Sequence, residues 1–153
     1  MIFNFTISGK ENRIVEFEKE LLEILKRLVD NHDMIAHEIH FCIHEAILNI
    51  IQHTYKWNLN LPIEIKLNVT GSMEKQNKVL EIRIKDNGPA IDKELIPPTK
   101  IDKFQMRKRG LYMIGKIMDE FHVEPIAKNG NITYMKKHLT MKTDEMLDLA
   151  NGK

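Results

Sequence analysis

The chain has 153 residues, of which 42% are hydrophobic and 29% are charged, and its formal net charge is +1. This composition is typical of one soluble globular domain, and the near-neutral charge gives no reason to expect direct binding to nucleic acid. Cys42 is the only cysteine, which excludes an internal disulfide. Because no apolar run approaches the roughly 18 residues of a membrane span and no signal-peptide pattern is seen, we expect a cytoplasmic protein without a membrane anchor.

Hydrophobic patterns predict a strand followed by two helices in the first third of the chain. Residues 1–7 alternate between apolar and polar side chains and predict a strand. Ser8 followed by Glu11 resembles a capping box for a helix that extends to about Val29. A second helix follows, with Asp33 as its predicted N-cap.

Three polar residues, Glu45, Asn49 and His53, are spaced four apart on the second predicted helix. This spacing places them along one face. A carboxylate can take a proton or orient a nucleophile, and an amide oxygen is a hard ligand suited to Mg²⁺. The opposite face is apolar: Ile39, Cys42, Ala46 and Ile50. The helix is therefore expected to be buried on one side and to carry a functional site on the other.

Two further strands, at residues 63–69 and 80–84, are predicted by alternation, and the second ends at Asp86-Asn87-Gly88. A carboxylate at a strand end, beside a glycine that lets a ligand approach the backbone, can accept a hydrogen bond from the amino group of a base. The alternative is an ordinary turn, since Asp, Asn and Gly are all common turn residues.

Residues 89–109 lack periodicity and are rich in basic side chains, which is typical of a lid or binding segment. Gly110 is predicted to begin a helix with Leu111, Ile114, Ile117, Met118 and Phe121 facing inward. The free N–H groups of such a helix start, directly after Arg107-Lys108-Arg109, would favour a phosphate. The alternative is a solvated basic loop.

Asn129-Gly130 predicts a hairpin between strands at 122–127 and 131–138. Residues 140–153 either form one short helix, capped by Thr143, or fray. The order of elements predicts an α/β (α+β) two-layer sandwich, with a mixed, mostly antiparallel sheet and helices on one face.

The histidines raise the possibility of a zinc site, because His37, His40, His44 and His53 lie along one predicted helix. The spacing of His40 and His44 suits chelation, but an HExxH motif and a cysteine pair are both missing from the sequence. We therefore expect these histidines at the surface or core edge, and a zinc hydrolase is the least favoured function.

Taken in order, three motifs resemble the ATP-binding domain, of Bergerat-type fold, shared by gyrase, Hsp90, histidine kinases and MutL. Within that superfamily they most closely resemble the bacterial anti-sigma factors that are serine protein kinases. The motifs are an N-box at 45–53, a first glycine box at 86–91 and a second at 109–114. The resemblance extends from about Phe3 to Leu139. It implies a histidine-kinase-like ATPase domain at 1–140, a lid at about 92–110 and a tail at 141–153.

The resemblance also implies a role for each motif residue. Asn49 would ligate the Mg²⁺ that bridges the ATP phosphates, and Glu45 would be the general base or orienter for the attacking serine hydroxyl. Asp86 would accept from the adenine amino group, and Gly88 would allow close packing of the base. The other implied nucleotide-binding residues are His53, Ala90, Ile91, Arg107, Lys108, Arg109, Gly110 and Leu111. The sequence contains no Walker A motif, which excludes a P-loop mechanism.

The implied function is that of a dimeric anti-sigma factor. It would sequester a sigma factor and phosphorylate a serine of a STAS-type anti-anti-sigma antagonist. Ala90 and Lys108 stand where the family usually has glycine, and a positive φ at either would cost about 1–2 kcal/mol. These departures favour the alternative, a protein-binding module without kinase activity in which nucleotide is structural or absent. A third possibility is an ATPase domain that serves a phosphorelay.

Overall fold

The structure is a computed structural model that describes residues 1–30, 32–91, 106–126 and 128–139, together with Gly152. The side chains of residues 106–108 are outside the description. Two predictions therefore fall on residues that are not described: the greater part of the lid, and the short helix of the C-terminal tail.

The described elements, in chain order, are β1 (Ile2–Ser8), α1 (Glu11–Leu28), α2 (Asp33–Asn49), a π-helical turn (Ile50–Thr54), β2 (Pro62–Thr70), β3 (Val79–Asp86), α3 (Met106–Ile117), β4 (Glu120–Pro125) and β5 (Asn131–His138). The strands form one sheet in the order β1-β2-β3-β5-β4, and every pairing described is antiparallel. The predicted α+β two-layer sandwich is confirmed.

The alternating strand sequences produce this sheet because each places its apolar side chains on one face. In β2, Ile63, Ile65 and Leu67 are at most 1% exposed, whereas Glu64 and Lys66 are exposed. The helices cover the apolar face with the side chains of Leu21, Leu25, Ile39, Ile43 and Ile47. Each fully buried aliphatic side chain contributes about 1.5–3 kcal/mol. The core therefore lies between the sheet and the helices.

The predicted caps of the first two helices are wrong. Ser8 belongs to β1, and α1 begins at Glu11 after Lys10, which makes no capping hydrogen bond through its side chain. The N-cap of α2 is His32, whose Nδ1 accepts from the Ile35 N–H at 3.5 Å. The pairing of β1 with β2 continues to Ser8, so this residue stays extended and cannot cap a helix.

The predicted start of α3 is also wrong, because the helix begins at Met106 and contains Gly110 in its interior. Residues 106–109 are Met, Arg, Lys and Arg, which are good helix formers and allow the helix to begin earlier. At the other end, the Asp119 N–H donates to the Lys136 carbonyl at 2.9 Å, which starts sheet pairing. Phe121 is buried as predicted, but it lies in β4 opposite Met135.

The predicted hairpin at Asn129-Gly130 is confirmed, and the Ile126 N–H donates to the Gly130 carbonyl at 2.9 Å. Gly130 has φ +112°, and a Cβ there would lie 2.7 Å from the Asp86 carbonyl oxygen. Glycine therefore lets the start of β5 approach the end of β3. In the part of the chain that the structure describes, no helix is long and apolar enough to cross a membrane.

Candidate functional site

The inner face of the sheet changes from apolar to polar at one end. Along β3, the buried apolar residues Leu80, Ile82 and Ile84 are followed by Asp86, which is 1% exposed. Asp86 pairs in register with Asn131 of β5, which is also 1% exposed. Buried polar groups are costly unless they are hydrogen-bonded. Two of them at one strand end therefore indicate a functional site.

A cavity that is partly open to solvent lies between this polar end of the sheet and the C-terminal end of α2. Its apolar lining residues are Ala46, Ile50, Ile91, Leu111, Phe121 and Val123. Its polar lining residues are Asn49, Thr54, Asp86, Asn131 and Thr133. Mostly apolar walls with a few convergent polar groups are typical of a small-molecule site.

In the described part of the chain, two hydrogen bonds hold the Asp86 carboxylate through one of its oxygens. Its Oδ1 accepts from the Gly88 N–H at 2.9 Å and from the Asn131 Nδ2 at 3.1 Å. Burial raises the pKa of Asp86 above its ordinary value, and these two hydrogen bonds partly oppose that rise. Because both donors reach Oδ1, the second oxygen, Oδ2, is the one that can accept from a ligand.

The Asn49 side chain supplies an unsatisfied amide to the same cavity. Its Nδ2 is buried and has no hydrogen-bond partner within the described ranges. A buried amide group without a partner costs about 1–3 kcal/mol, so this group indicates a missing ligand. Rotating the Asn49 side-chain amide by half a turn would place its oxygen where its nitrogen now lies.

The half-buried Glu45 lies one helical turn before Asn49 and contacts α3. A Cβ added to Gly110 would lie 2.7 Å from Glu45 Oε2. Glycine at position 110 therefore lets α3 cross closely over this carboxylate. Glu45 lies beside the cavity rather than in its wall.

The π-helical turn decides which residue after Asn49 reaches the cavity. The Tyr55 N–H donates to the Ile50 carbonyl at 2.8 Å, so the hydrogen bond spans five residues instead of four. Thr54, five residues after Asn49, lines the cavity, whereas His53 is exposed and outside its wall. A Cβ on Gly88 would lie 2.3 Å from Thr54 Cγ2, which explains glycine at that position.

Tyr55 joins the end of α2 to the turn that follows Asp86. Its hydroxyl donates to the Pro62 carbonyl at 2.5 Å and accepts from the Asn87 N–H at 2.8 Å. The side chain is 5% exposed, and burial raises the pKa of Tyr55. This contact fixes the Asp86 turn against the helix that carries Glu45 and Asn49.

The sequence model of the histidine kinase-like ATPase domain matches residues 7–137 of this chain. The chain belongs to the histidine kinase-like ATPase family. The anti-sigma F factor of Priestia megaterium is 32% identical over 108 residues, which cover 67% of this chain and 69% of that protein. The predicted resemblance to anti-sigma factors of this family is confirmed, and membership implies a nucleotide-binding domain.

The residues of this histidine kinase-like ATPase domain fit a nucleotide. Asp86 Oδ2, which has no partner among the described residues, suits the amino group of adenine, and apolar walls suit the faces of the base. The unpartnered Nδ2 of Asn49 suits a phosphate oxygen, and its amide oxygen is the atom that suits a Mg²⁺ bound to the phosphates. Ile91 and Leu111, two of the residues predicted to bind nucleotide, line the cavity, and Gly88 and half-buried Ala90 lie in the loop that precedes Ile91.

The expected strain at the departures from the family pattern is absent. Ala90 has no positive φ, and Lys108 lies within α3. Because Gly110 is inside that helix, its N–H does not lie at the helix start where the sequence placed a phosphate site. Arg109 is exposed, and the side chains of Arg107 and Lys108 lie outside the described residues.

Two histidines of α2 contact α1. His40 Nε2 lies 3.2 Å from the Glu18 carbonyl oxygen, and His44 Nδ1 contacts the Glu18 carboxylate. No cluster of three His, Cys, Asp or Glu side chains suited to a metal occurs in the described ranges. The two histidines instead join α2 to α1.

The sequence analysis missed four polar residues of the site, namely Thr54, Tyr55, Asn131 and Thr133. Thr54 and Tyr55 follow the N-box motif directly, but only the π-helical turn shows which of them faces the cavity. Asn131 follows the Asn129-Gly130 turn, and the hairpin prediction used it only as the first residue of a strand.

Proposed function

We propose that this protein is an anti-sigma factor with ATP-dependent serine kinase activity. It would sequester a sigma factor and transfer phosphate to a serine of a STAS-type anti-anti-sigma antagonist, as a cytoplasmic homodimer. The observation that carries the proposal is that Asp86 and the unsatisfied Asn49 line one cavity, with Glu45 one turn away. The similarity to a protein named anti-sigma F factor supports the choice of partners.

In this proposal the sheet end binds the base and α2 faces the phosphates. Asp86 Oδ2 accepts from the adenine amino group, and apolar walls exclude water from the faces of the ring. Mg²⁺ bound with the nucleotide would neutralise phosphate charge, and the Asn49 amide oxygen is the ligand that suits it.

In this proposal Glu45 receives the proton of the attacking hydroxyl. Residues four apart on a helix have Cβ atoms about 5–6 Å apart, so Glu45 lies near the phosphates whenever Asn49 contacts them. Phosphoryl transfer depends mainly on positioning and charge neutralisation. A carboxylate that orients the serine hydroxyl and accepts its proton would supply the positioning of the nucleophile.

The second candidate is a protein-binding module without kinase activity. The position of Gly110 favours it, because an N–H in the helix interior is already hydrogen-bonded and does not supply the predicted phosphate contact. In the structure α3 also lies directly over the Glu45 carboxylate. Nucleotide would then serve as a structural ligand or be absent.

Titration of purified protein with Mg-ATP separates the candidates. At a ligand concentration one hundred times Kd, one site adds about 2.7 kcal/mol of stability, which a thermal shift detects. Absence of any shift at millimolar Mg-ATP would refute nucleotide binding. A thermal shift with Mg-ATP but no phosphate transfer to the antagonist would favour the protein-binding module.

The roles of Glu45 and Asn49 are tested by transfer of labelled phosphate to the antagonist. Glu45→Gln should keep ATP affinity within about threefold and lower transfer at least 100-fold, as for loss of a general base. Asn49→Ala should lower both the affinity for ATP and the rate of phosphate transfer. Glu38→Gln is a matched control, because Glu38 lies two turns earlier on α2 and is also half-buried. Equal transfer by Glu45→Gln and the parent would contradict the assigned role.

A further inference from the structure

Asn131 uses both ends of its amide to join three parts of the site. Its Nδ2 donates to Asp86 Oδ1 at 3.1 Å and to the Pro89 carbonyl at 3.0 Å. Its Oδ1 accepts from the Ile91 N–H at 2.9 Å. The side chain is 1% exposed, so these contacts form away from water, where a lost partner is costly.

The contact with Asp86 fixes the direction of the carboxylate. Together with the Gly88 N–H, Asn131 engages Oδ1 and leaves Oδ2 for a ligand. A carboxylate held by two donors on one oxygen cannot rotate without breaking both hydrogen bonds. Asn131 therefore helps to fix the orientation of the carboxylate.

The contacts with Pro89 and Ile91 fix the loop that follows Asp86. Ile91 is part of the cavity wall, and its backbone N–H has Asn131 as its acceptor. One side chain thus aligns both the polar group that would recognise the base and an apolar residue of the cavity wall.

We propose that Asn131 is a positioning residue for recognition of the amino group of adenine. The inference rests on the proposed nucleotide binding at Asp86. The Asn131 amide supplies a donor to the carboxylate through Nδ2 and an acceptor to the loop N–H through Oδ1 at once. Asn131 does not itself need to contact the nucleotide.

The test compares Mg-ATP with the Mg complex of purine riboside triphosphate, which lacks the 6-amino group. Hydrogen bonds to charged groups contribute about 1.5–3 kcal/mol, so the parent should bind Mg-ATP roughly 10- to 100-fold more tightly than the analogue. In Asn131→Leu, which is close in shape, and in Asn131→Ala, this ratio should fall below about threefold. If one of these two variants is too unstable for titration, the other is enough to measure the ratio.

Asn129→Ala is the matched control, because Asn129 is exposed in the same hairpin turn. It should keep the parental ratio. Amide hydrogen exchange supplies a second measurement without nucleotide: Asn131→Leu should accelerate exchange at Ile91 about tenfold. The Asn87 N–H, which donates to Tyr55, serves as the internal reference and should keep its rate.

The outcomes distinguish this inference from the proposed function. A parent that discriminates between the nucleotides, with Asn131 variants that keep the same ratio, would overturn the positioning role and leave ATP binding intact. A parent that binds neither nucleotide would overturn both proposals. Loss of affinity for both nucleotides by an equal factor would also overturn the inference, because that is the result expected of a purely structural residue.

Discussion

The contact between Gly110 and Glu45 allows the Glu45 carboxylate, the proposed general base, to be displaced without mutating Glu45 itself. A Cβ in Gly110→Ala would lie 2.7 Å from Glu45 Oε2 and 3.5 Å from Glu45 Cδ. Because close carbon–oxygen contacts begin at about 3.3 Å, the carboxylate has to move by roughly 0.6 Å. The carboxylate is the end of a flexible, half-buried side chain, so it can move without disturbing the core.

The variant should therefore be stable and slow. Replacing glycine by alanine inside a helix contributes about 0.5–1 kcal/mol, which raises Tm by up to roughly 2–4 °C in a chain of this size. Misplacement of a catalytic group by about 1 Å can cost roughly 100-fold in rate, so a shift of about 0.6 Å should lower kcat at least about tenfold. ATP affinity should stay within about threefold, because Glu45 is not part of the cavity wall.

The measurements are phosphate transfer at saturating Mg-ATP, calorimetric ATP affinity and thermal unfolding. Gly115→Ala is the control, because it makes the same change of helix propensity about 7.5 Å further along α3. A kcat within twofold of the parent would refute the role of Glu45 in transfer. A lower Tm together with lower ATP affinity would instead mean that α3 moves as a whole, which would refute the reasoning from the local contact.

Asp86, Tyr55 and Cys42 each support one further prediction. Since burial raises the pKa of Asp86, the stability from its protonation is complete below the ordinary value of 3.8 and is lost as pH rises through the folded-state pKa. Asp86→Asn should flatten the pH dependence of Tm above pH 3.8. It should leave Tm at neutral pH unchanged or higher. A lower Tm at neutral pH would contradict the assigned effect of Asp86 burial. Tyr55→Phe leaves the Asn87 N–H and the Pro62 carbonyl without partners, so denaturant unfolding should show a loss of about 1–3 kcal/mol, and an unchanged free energy of unfolding would refute the bridging role. Burial raises the pKa of Cys42 to about 12, so a thiol reagent at pH 8 should react only at the rate of unfolding; rapid reaction in native conditions would show that the site opens locally.

The sheet and its core could be predicted from sequence because period-two alternation specifies both the strand and its buried face. The prediction gave the strand carrying Ile63 and Ile65 and the strand ending at Asp86, and both have the expected inward side chains. Helix starts were less predictable, because they depend on tertiary contacts. Ser8 has the chemistry of a cap, but its pairing with Pro62 extends β1 through that position.

The role of Asn131 could not be predicted from local sequence for a related reason. Its partners are Asp86, Pro89 and Ile91, which lie 40 or more residues earlier and meet it only through the register of β3 and β5. The same residue type two positions earlier, Asn129, is an exposed turn residue. Sequence identifies the hairpin, but the pairing register decides which asparagine is buried.

The assignment of His53 shows how a small change in helix geometry moves a site residue. The prediction extended the α-helical spacing of four residues from Asn49 to His53, and that spacing holds only while hydrogen bonds span four residues. From Ile50 the bonds span five, so the position one turn after Asn49 belongs to Thr54. His53 is exposed and is not among the lining residues of the described cavity. His53→Ala should therefore perturb base recognition less than Asn131→Ala does. Measured Mg-ATP affinity should fall less than threefold in the first variant, and a larger loss would show that the nucleotide extends across the π-helical turn.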